Sequence, residues 1–248
     1  MILQNISKAI REQNYYAVAL EFVIVIAGVV IGFQIQAWNQ DRANRETERV
    51  YLARLYEDMT RSVCRLADER NQLIDWNSRA RATLNALLDN TPDAVTGNGF
   101  ELVASTRIQT GTPQRATLNE LVGGGQMNLI SSPHLRAQIA ATEADLTSLS
   151  GYIQILVGAQ RPFMENIHTR LRPAREPDWA VTYDFSALVI DDEFINSLGQ
   201  ALRLARANSS WLEGMIETSD SLRLAIGREL GVDPPQTVDC EASGGDAS

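Results

Sequence analysis

Apolar residues form one continuous run near the N-terminus of this chain. Residues 22–33 read FVIVIAGVVIGF, without a polar side chain, and Glu21 is the only charge within residues 15–33. A helix over residues 15–33 rises about 1.5 Å per residue and so roughly matches the ~30 Å hydrocarbon core of a bilayer. The pattern predicts a transmembrane helix over residues 15–38, preceded by a short segment, residues 1–14. Aromatic residues flank the run, as interfacial anchors do: Tyr15, Tyr16 and Trp38.

A cleaved signal peptide is the main alternative to a membrane anchor. Lys8 and Arg11 would form its basic region, and the apolar run has a suitable length. Cleavage requires small residues after the run, and the residues that follow, QIQAW at 34–38, contain no such pattern. We therefore expect an uncleaved anchor. The basic residues on its two sides do not decide the orientation, but long domains are translocated largely regardless of charge, which favours a cytoplasmic N-terminus.

Two glycines in the run, Gly28 and Gly32, have the G-x-x-x-G spacing that lets two helix backbones approach closely. Glu21 lies two turns before Gly28 and shares its helix face. A carboxylate within a membrane is costly and usually faces a partner or the headgroups. These residues predict either a helix-dimer seam that contains Glu21 or an ordinary membrane helix in which Glu21 is hydrated near the interface.

Beyond Trp38 the apolar positions recur every three or four residues, which is typical of packed helices. No proline or glycine interrupts the chain between Trp38 and Pro92, so the membrane helix is predicted to continue into a long soluble helix. Three seams follow this spacing. The first contains Leu52, Tyr56, Met59, Val63, Leu66, Arg70, Leu73, Asn77, Ala80, Leu84 and Leu87. The second contains Leu135, Ile139, Thr142, Leu146, Leu149, Ile153, Leu156, Gln160, Phe163 and Ile167. The third contains Phe194, Leu198, Ala201, Ala205, Asn208, Leu212, Met215, Ser219, Leu222 and Ile226. The predicted fold class is all-α: one N-terminal transmembrane helix that continues into a long helix of an antiparallel helical bundle, residues 39–231.

Capping signals divide this bundle into helices. Ser132-Pro133 and the acidic residues 191–193 predict helix starts, and Gly231 predicts the end of the last helix. Short helical pieces are expected around residues 100–108 and 116–122.

Other segments depart from the regular pattern. Pro162 falls within the second seam and is expected to kink or break the helix there. Residues 179–183 could form a short extended piece, but no partner strand is evident. Residues 232–248 are expected to be a disordered tail.

The charge of the chain excludes several functions. The net charge is −9 and the pI about 4.8, and residues 39–248 carry all of it because charges of opposite sign cancel before residue 39. Such a surface is not expected to bind nucleic acid or anionic lipid. Lys8 is the only lysine, so a P-loop or Schiff-base lysine in the body of the chain is excluded.

Few residues could carry chemistry, and we predict no catalytic, cofactor-binding or metal-binding residue. Glu165 and His168 have the Glu-x-x-His spacing of di-iron bundles, but the second such pair is missing, so a solvated or capped histidine is favoured. Cys64 and Cys240 could bridge in an oxidising compartment or link two chains; two free thiols are the favoured interpretation.

Four polar residues interrupt the apolar seams: Arg70, Asn77, Gln160 and Asn208. Polar seam residues can fix the register of packed helices at some cost in stability. They could also line a small pocket in the bundle. Register setting or exposure at a helix edge is the favoured interpretation.

The block ALEFVIVIAGVVIGFQIQAWNQDR at residues 19–42 resembles the start of a family of single-pass bacterial membrane proteins of unknown function. The family pattern has an acidic residue, small residues in the apolar run, a Gln-rich exit and a Trp-Asn pair. The matching positions are Glu21, Gly28, Gly32, Gln34, Gln36, Trp38 and Asn39. A later block, residues 117–136, resembles a second family motif, although the family tends to have Tyr in place of Leu118 and Ser-Gly in place of Gly124-Gly125. The resemblance implies a membrane-anchored helical protein and no activity.

These observations lead to one expectation and one alternative. We expect a single-pass protein of the bacterial inner membrane, with its C-terminal domain in the periplasm. It would have no catalytic activity and would act by interaction, as a homo-oligomeric scaffold or as a subunit with a membrane-protein partner. The alternative is a sensory or ligand-binding helical domain that signals through the membrane helix to a partner.

Overall fold

The structure, a computed structural model, describes residues 15–95, 99–176, 180–232, 238 and 240. The chain divides into two compact units, Met1–Val50 and Tyr51–Ser248. Within the described ranges its regular secondary structure is helical apart from one pair of two-residue strands, so the predicted all-α class is confirmed. The predicted N-terminal segment, residues 1–14, and most of the predicted tail, residues 232–248, lie outside the described residues.

The helices follow the seams of the sequence. In chain order they are α1 (Tyr15–Leu88), α2 (Phe100–Ala104), α3 (Ala116–Gly123), α4 (Pro133–Thr169), α5 (Phe185–Leu188) and α6 (Asp192–Leu230). Two 3-10 turns occupy Pro92–Ala94 and Gln126–Leu129. The helix that contains the apolar run therefore extends through the whole first seam, as predicted. The second short piece forms where it was expected, and the first starts as expected but ends at Ala104 rather than near residue 108.

Helix ends coincide with the capping residues. The Ser132 hydroxyl accepts from the Leu135 N–H at 3.3 Å, and Asp191 Oδ1 accepts from the Phe194 N–H at 2.9 Å. Each bond satisfies an N–H group that has no partner in the first turn of a helix. Gly231 ends α6 with φ of +69°, the left-handed conformation that glycine adopts without a steric penalty. The predicted starts of α4 and α6 and the end of α6 are confirmed.

The core lies where the seams of α1, α4 and α6 meet. Every position of the third seam is buried, and the other two seams are buried except for a few partly exposed positions. The apolar side chains form two clusters: one includes Leu66, Leu146 and Met215, and the other includes Leu84 and Phe194. Burial of this many Leu, Ile and Met side chains, at about 1.5–3 kcal/mol each, is the main stabilising contribution to the bundle.

At two points in the second half of the chain the structure differs from what the sequence indicated. Helix α4 is not broken at Pro162 but runs on to Thr169. Pro162 and Gly158, whose carbonyl loses its helical donor, both lie on the exposed face, so water can hydrate that carbonyl. The extended piece at Val181–Thr182 also has a partner, because it pairs antiparallel with Arg172–Pro173.

An irregular segment, residues 105–115, connects α2 to α3. Within it, Gly111 is buried and has φ of +56°. A Cβ atom on Gly111 would lie 2.7 Å from Leu212 Cδ2, 3.1 Å from Met215 Sδ and 3.2 Å from Leu66 Cδ2. The backbone of this segment therefore enters the core between α1 and α6, and only glycine fits at this point.

Candidate functional site

The apolar run of α1 is exposed along its length. No residue of its most apolar stretch is buried, and both Phe22 and Phe33 are more than two-thirds exposed. This helix is long and apolar enough to cross a bilayer. Large apolar side chains that are all exposed on one helix need a non-aqueous environment or a partner.

The predicted packing residues of the span can be located only in part. Gly28 and Gly32 lie in α1, and a Cβ atom built on either would meet no atom within 4 Å. Their face is therefore open to a second helix. Glu21, Tyr15 and Tyr16 belong to α1, but their side chains lie outside the described part of the structure.

Trp38, the third predicted anchor, is 63% exposed at the polar end of the run. It lines a hollow of about 230 Å³ together with Asp41, Arg42 and Arg45. An indole beside charged side chains suits the water–lipid interface, where one end of the residue is apolar and the other is hydrated.

Asn208, one of the polar seam residues, binds the backbone of the 105–115 segment. Its Oδ1 accepts from the Gln109 N–H at 2.9 Å, and its Nδ2 donates to the Gln109 carbonyl at 2.9 Å. Asn208 is fully buried, so it is not exposed at a helix edge. The amide satisfies both polar groups of one loop residue, as a neighbouring strand would.

Gln160 and Arg70 also bind groups outside their own helices. Gln160 is buried in α4 and donates from Nε2 to the carbonyl of Ser105 at 3.2 Å. Arg70 in α1 forms an ion pair with Glu213 in α6, with Nη2 and Oε1 3.1 Å apart. The first contact fixes the start of the 105–115 segment, and the second joins two long helices near the surface.

Helix α1 supplies three more side chains to the same part of the chain, and the seam pattern did not single them out. Asp58 accepts from the Thr117 N–H at 3.0 Å, Ser62 from the Gln114 N–H at 2.8 Å, and Glu69 from the Gly111 N–H at 3.2 Å. Their spacing of four and seven residues puts them on one face of the helix. Asp58 also places a negative charge at the N-terminus of α3, where the helix dipole favours it.

Helix α3 is held to α1 by a second contact. Glu120 accepts from the Tyr51 hydroxyl at 2.6 Å and from Arg54 at 3.1 Å. The hydrogen bond from Tyr51 lowers the pKa of Glu120, and the same bond raises the pKa of Tyr51. The carboxylate is thus held ionised as a structural acceptor.

A buried carboxylate, Glu101 in α2, lies near the second apolar cluster. It is 4% exposed, and Thr83 donates to its Oε1 at 3.4 Å. Burial, and secondarily the charge of Glu101, raises the pKa of Tyr183 to about 12. Tyr183 therefore stays protonated across the physiological range and cannot act as a base.

Glu165 and His168, the candidate metal pair, have different partners. Glu165 forms an ion pair with Arg161 at 3.2 Å, and His168 Nε2 lies 3.1 Å from the Thr106 hydroxyl. Burial, and secondarily the nearby charge of Arg107, lowers the pKa of His168. Within the described ranges, no group of three metal-ligating side chains converges.

Cys64 and Cys240 form a disulfide, so the favoured interpretation of two free thiols was wrong. Their Cα atoms are 5.3 Å apart, within the range that a disulfide requires. Cys64 lies on the flank of the α1 seam and is only partly buried, so a cysteine far along the sequence can reach it. Separations of 176 residues are not visible in a local pattern.

A groove between α1 and α6 is a concave surface that combines apolar and cationic side chains. Asn77, one of the four polar seam residues, lies in this groove. Of the interpretations given for those residues, lining a small pocket therefore applies to Asn77. On α1 the groove is lined by Ile74, Asn77, Ser78 and Arg81, and on α6 by Leu202, Arg206 and Ser209. These positions are three, four or seven residues apart, so each helix contributes one face. The groove has a volume of about 290 Å³.

No protein-family model, no curated protein and no solved structure matches this chain. The resemblance of residues 19–139 to a family of single-pass membrane proteins thus stays a prediction. Function has to be inferred from the geometry of the chain itself.

Proposed function

We propose that this chain is a non-catalytic interaction protein anchored in a bacterial inner membrane by α1, with its helical bundle in the periplasm. It associates with a second copy, or with a membrane-protein partner, through the membrane helix. The observation that carries the proposal is the combination of an exposed apolar run in one unit with a disulfide in the other.

The disulfide supports the orientation. Disulfides form and persist in oxidising compartments such as the periplasm and are rare in the cytoplasm. Cys64 lies in α1 beyond the apolar run and Cys240 lies near the C-terminus, so both belong to the part that follows the span. If that part faces an oxidising compartment, the segment before the span lies in the cytoplasm.

The buried seams narrow the surface available for self-association. The seams of α1, α4 and α6 contact one another within a single chain, and every position of the third is buried. A second copy is therefore not needed to cover them. The open face at Gly28 and Gly32 supports contact through the span instead, because small residues let helices approach closely in lipid.

Thiol labelling of the protein taken from cells tests the orientation. The full chain is expressed at low level, and a maleimide reagent of high mass is added to denatured protein before or after reduction. We expect a shift on gels only after reduction, because both thiols are oxidised in the cell. The variant Cys64→Ser, which frees Cys240, is the control and should shift without reduction. Two free thiols in the unaltered chain would contradict a periplasmic bundle.

Crosslinking in membranes tests the self-association. Substitutions Gly28→Ile and Gly32→Ile add bulk to the open face, and Ala27→Ile adds bulk to a neighbouring position on a different face. We expect the first two variants to lose most of the crosslinked dimer and the third to keep it. Equal losses in all three variants, or an unaltered chain that is strictly monomeric and has no partner, would overturn this part of the proposal.

A further inference from the structure

Two arginines on the α1–α6 groove have no partner in the part of the chain that the structure describes. Arg81 and Arg206 form no hydrogen bond or ion pair with a described residue, although acidic residues outnumber basic ones. Nearby arginines are engaged: Arg79 pairs with Asp75, and Arg70 pairs with Glu213. The groove therefore has two cationic groups whose charge is not offset by these neighbours.

The other lining groups of the groove include two apolar side chains and one polar atom without a described partner. Leu202 is buried beneath it, and Ile74 is 42% exposed. Asn77 Oδ1 is shielded from solvent and has no hydrogen-bond donor among the described residues. A buried amide oxygen without a donor is costly, and because Oδ1 is shielded it is not a contact for a ligand in the groove.

We propose that this groove binds a small organic carboxylate with an apolar body. A guanidinium group forms short, charge-assisted hydrogen bonds with a carboxylate, and two such groups would bind it from two helices. The apolar body would cover Ile74, the exposed apolar side chain of the groove. Inorganic phosphate has no apolar part, so it would leave Ile74 exposed.

Binding there would join α1 to α6, because Arg81 and Arg206 come from different helices. The inference goes beyond the interaction role and gives the ligand-binding alternative a specific site. The second groove, between α4 and α6, is not a competing site for an anion, because it is lined by Asp145 and Glu217. The two grooves thus differ in the sign of their charge.

Equilibrium dialysis of the full chain in phosphatidylcholine nanodiscs tests the proposal. The probe is 4-hydroxybenzoate, its neutral isostere 4-hydroxybenzamide is the ligand control, and empty nanodiscs correct for partition into lipid. We expect saturable binding of the carboxylate and at least about tenfold weaker binding of the amide, the loss of one charge-assisted pair. Arg81→Gln and Arg206→Gln should each weaken carboxylate binding by about tenfold or more.

Arg203→Gln is the matched control variant. Arg203 is exposed on α6 one turn before Arg206, bonds to Gln200 and does not line the groove. Its loss should leave binding within about twofold of the unaltered chain, while thermal unfolding confirms that all three variants fold.

Several outcomes would overturn the inference. These are equal binding of acid and amide, equal losses in Arg203→Gln and Arg81→Gln, displacement by equimolar inorganic phosphate, or no binding at roughly 10 mM probe. Dialysis does not depend on membrane orientation or dimerisation, so its failure is separate from a failure of the proposed function.

Discussion

Substitution of Gly111 by alanine should destabilise the bundle more than the same change at Gly231 or Gly199. The left-handed backbone, φ of +56°, costs an L-residue about 1–2 kcal/mol. The new Cβ would lie 2.7 Å from Leu212 Cδ2, so that side chain and Met215 must shift, which adds about 1–3 kcal/mol of overpacking. Alanine has less conformational entropy than glycine in the unfolded chain, which offsets about 0.4–1 kcal/mol of this destabilisation. The free energy of unfolding should therefore fall by about 2–4 kcal/mol.

Gly231→Ala separates the two causes. Gly231 also has positive φ, +69°, but a Cβ there meets no atom within 4 Å. Urea unfolding of the full chain in mild detergent, followed by circular dichroism, should show a loss of about 1 kcal/mol for Gly231→Ala. If Gly111→Ala costs no more than Gly231→Ala, the close approach of the 105–115 backbone to the core is refuted.

Three further changes have defined outcomes. Asn208→Ala removes both hydrogen bonds to Gln109 and should lower the free energy of unfolding by about 2–3 kcal/mol in urea; a loss below about 0.5 kcal/mol would show that the bonds are not formed. Gly199→Ala fills open space within α6 and should raise the free energy of unfolding by about 0.5–1 kcal/mol. A decrease in the free energy of unfolding would mean that the site is crowded. The pKa of His168 is lowered in the folded chain by burial and by Arg107, so the unfolded chain binds its proton first. The contribution of neutral His168 to folding stability is thus complete above the unfolded pKa of about 6.5 and is lost as the pH falls through the folded pKa. His168→Gln should therefore make the melting temperature fall less steeply on the acid side. An unchanged slope would contradict this.

The long helices could be predicted from the sequence because their evidence is local. Spacing of three and four residues located the seams, and the buried faces of α1, α4 and α6 follow it closely. Capping residues such as Ser132 and Asp191 bind N–H groups within one turn, so they can be recognised from the sequence without the tertiary structure. The same holds for the apolar run of α1, whose suitability to cross a bilayer depends on composition and length alone.

Features that depend on distant parts of the chain could not be predicted. Asn208 was singled out as a polar interruption, but its partner, Gln109, lies 99 residues away, so the sequence did not reveal the pairing. Asp58, Ser62 and Glu69 look like ordinary surface residues until the 105–115 segment lies beside them. Of the candidate groove, the sequence indicated Asn77 only as one of several possibilities. Arg81 and Arg206 carry no local signal, because exposed arginines are common on helices.

The link between Cys64 and Cys240 has a consequence for proteolysis. The sulfur bridge encloses nearly all of the bundle, including the turns at Pro92–Ala94 and Gln126–Leu129. A protease that cuts once in either turn severs the polypeptide, yet both fragments remain covalently attached to each other through Cys64 in α1. Molecules nicked in either turn would thus run as one covalently linked species on gels without reductant and separate into two fragments after reduction.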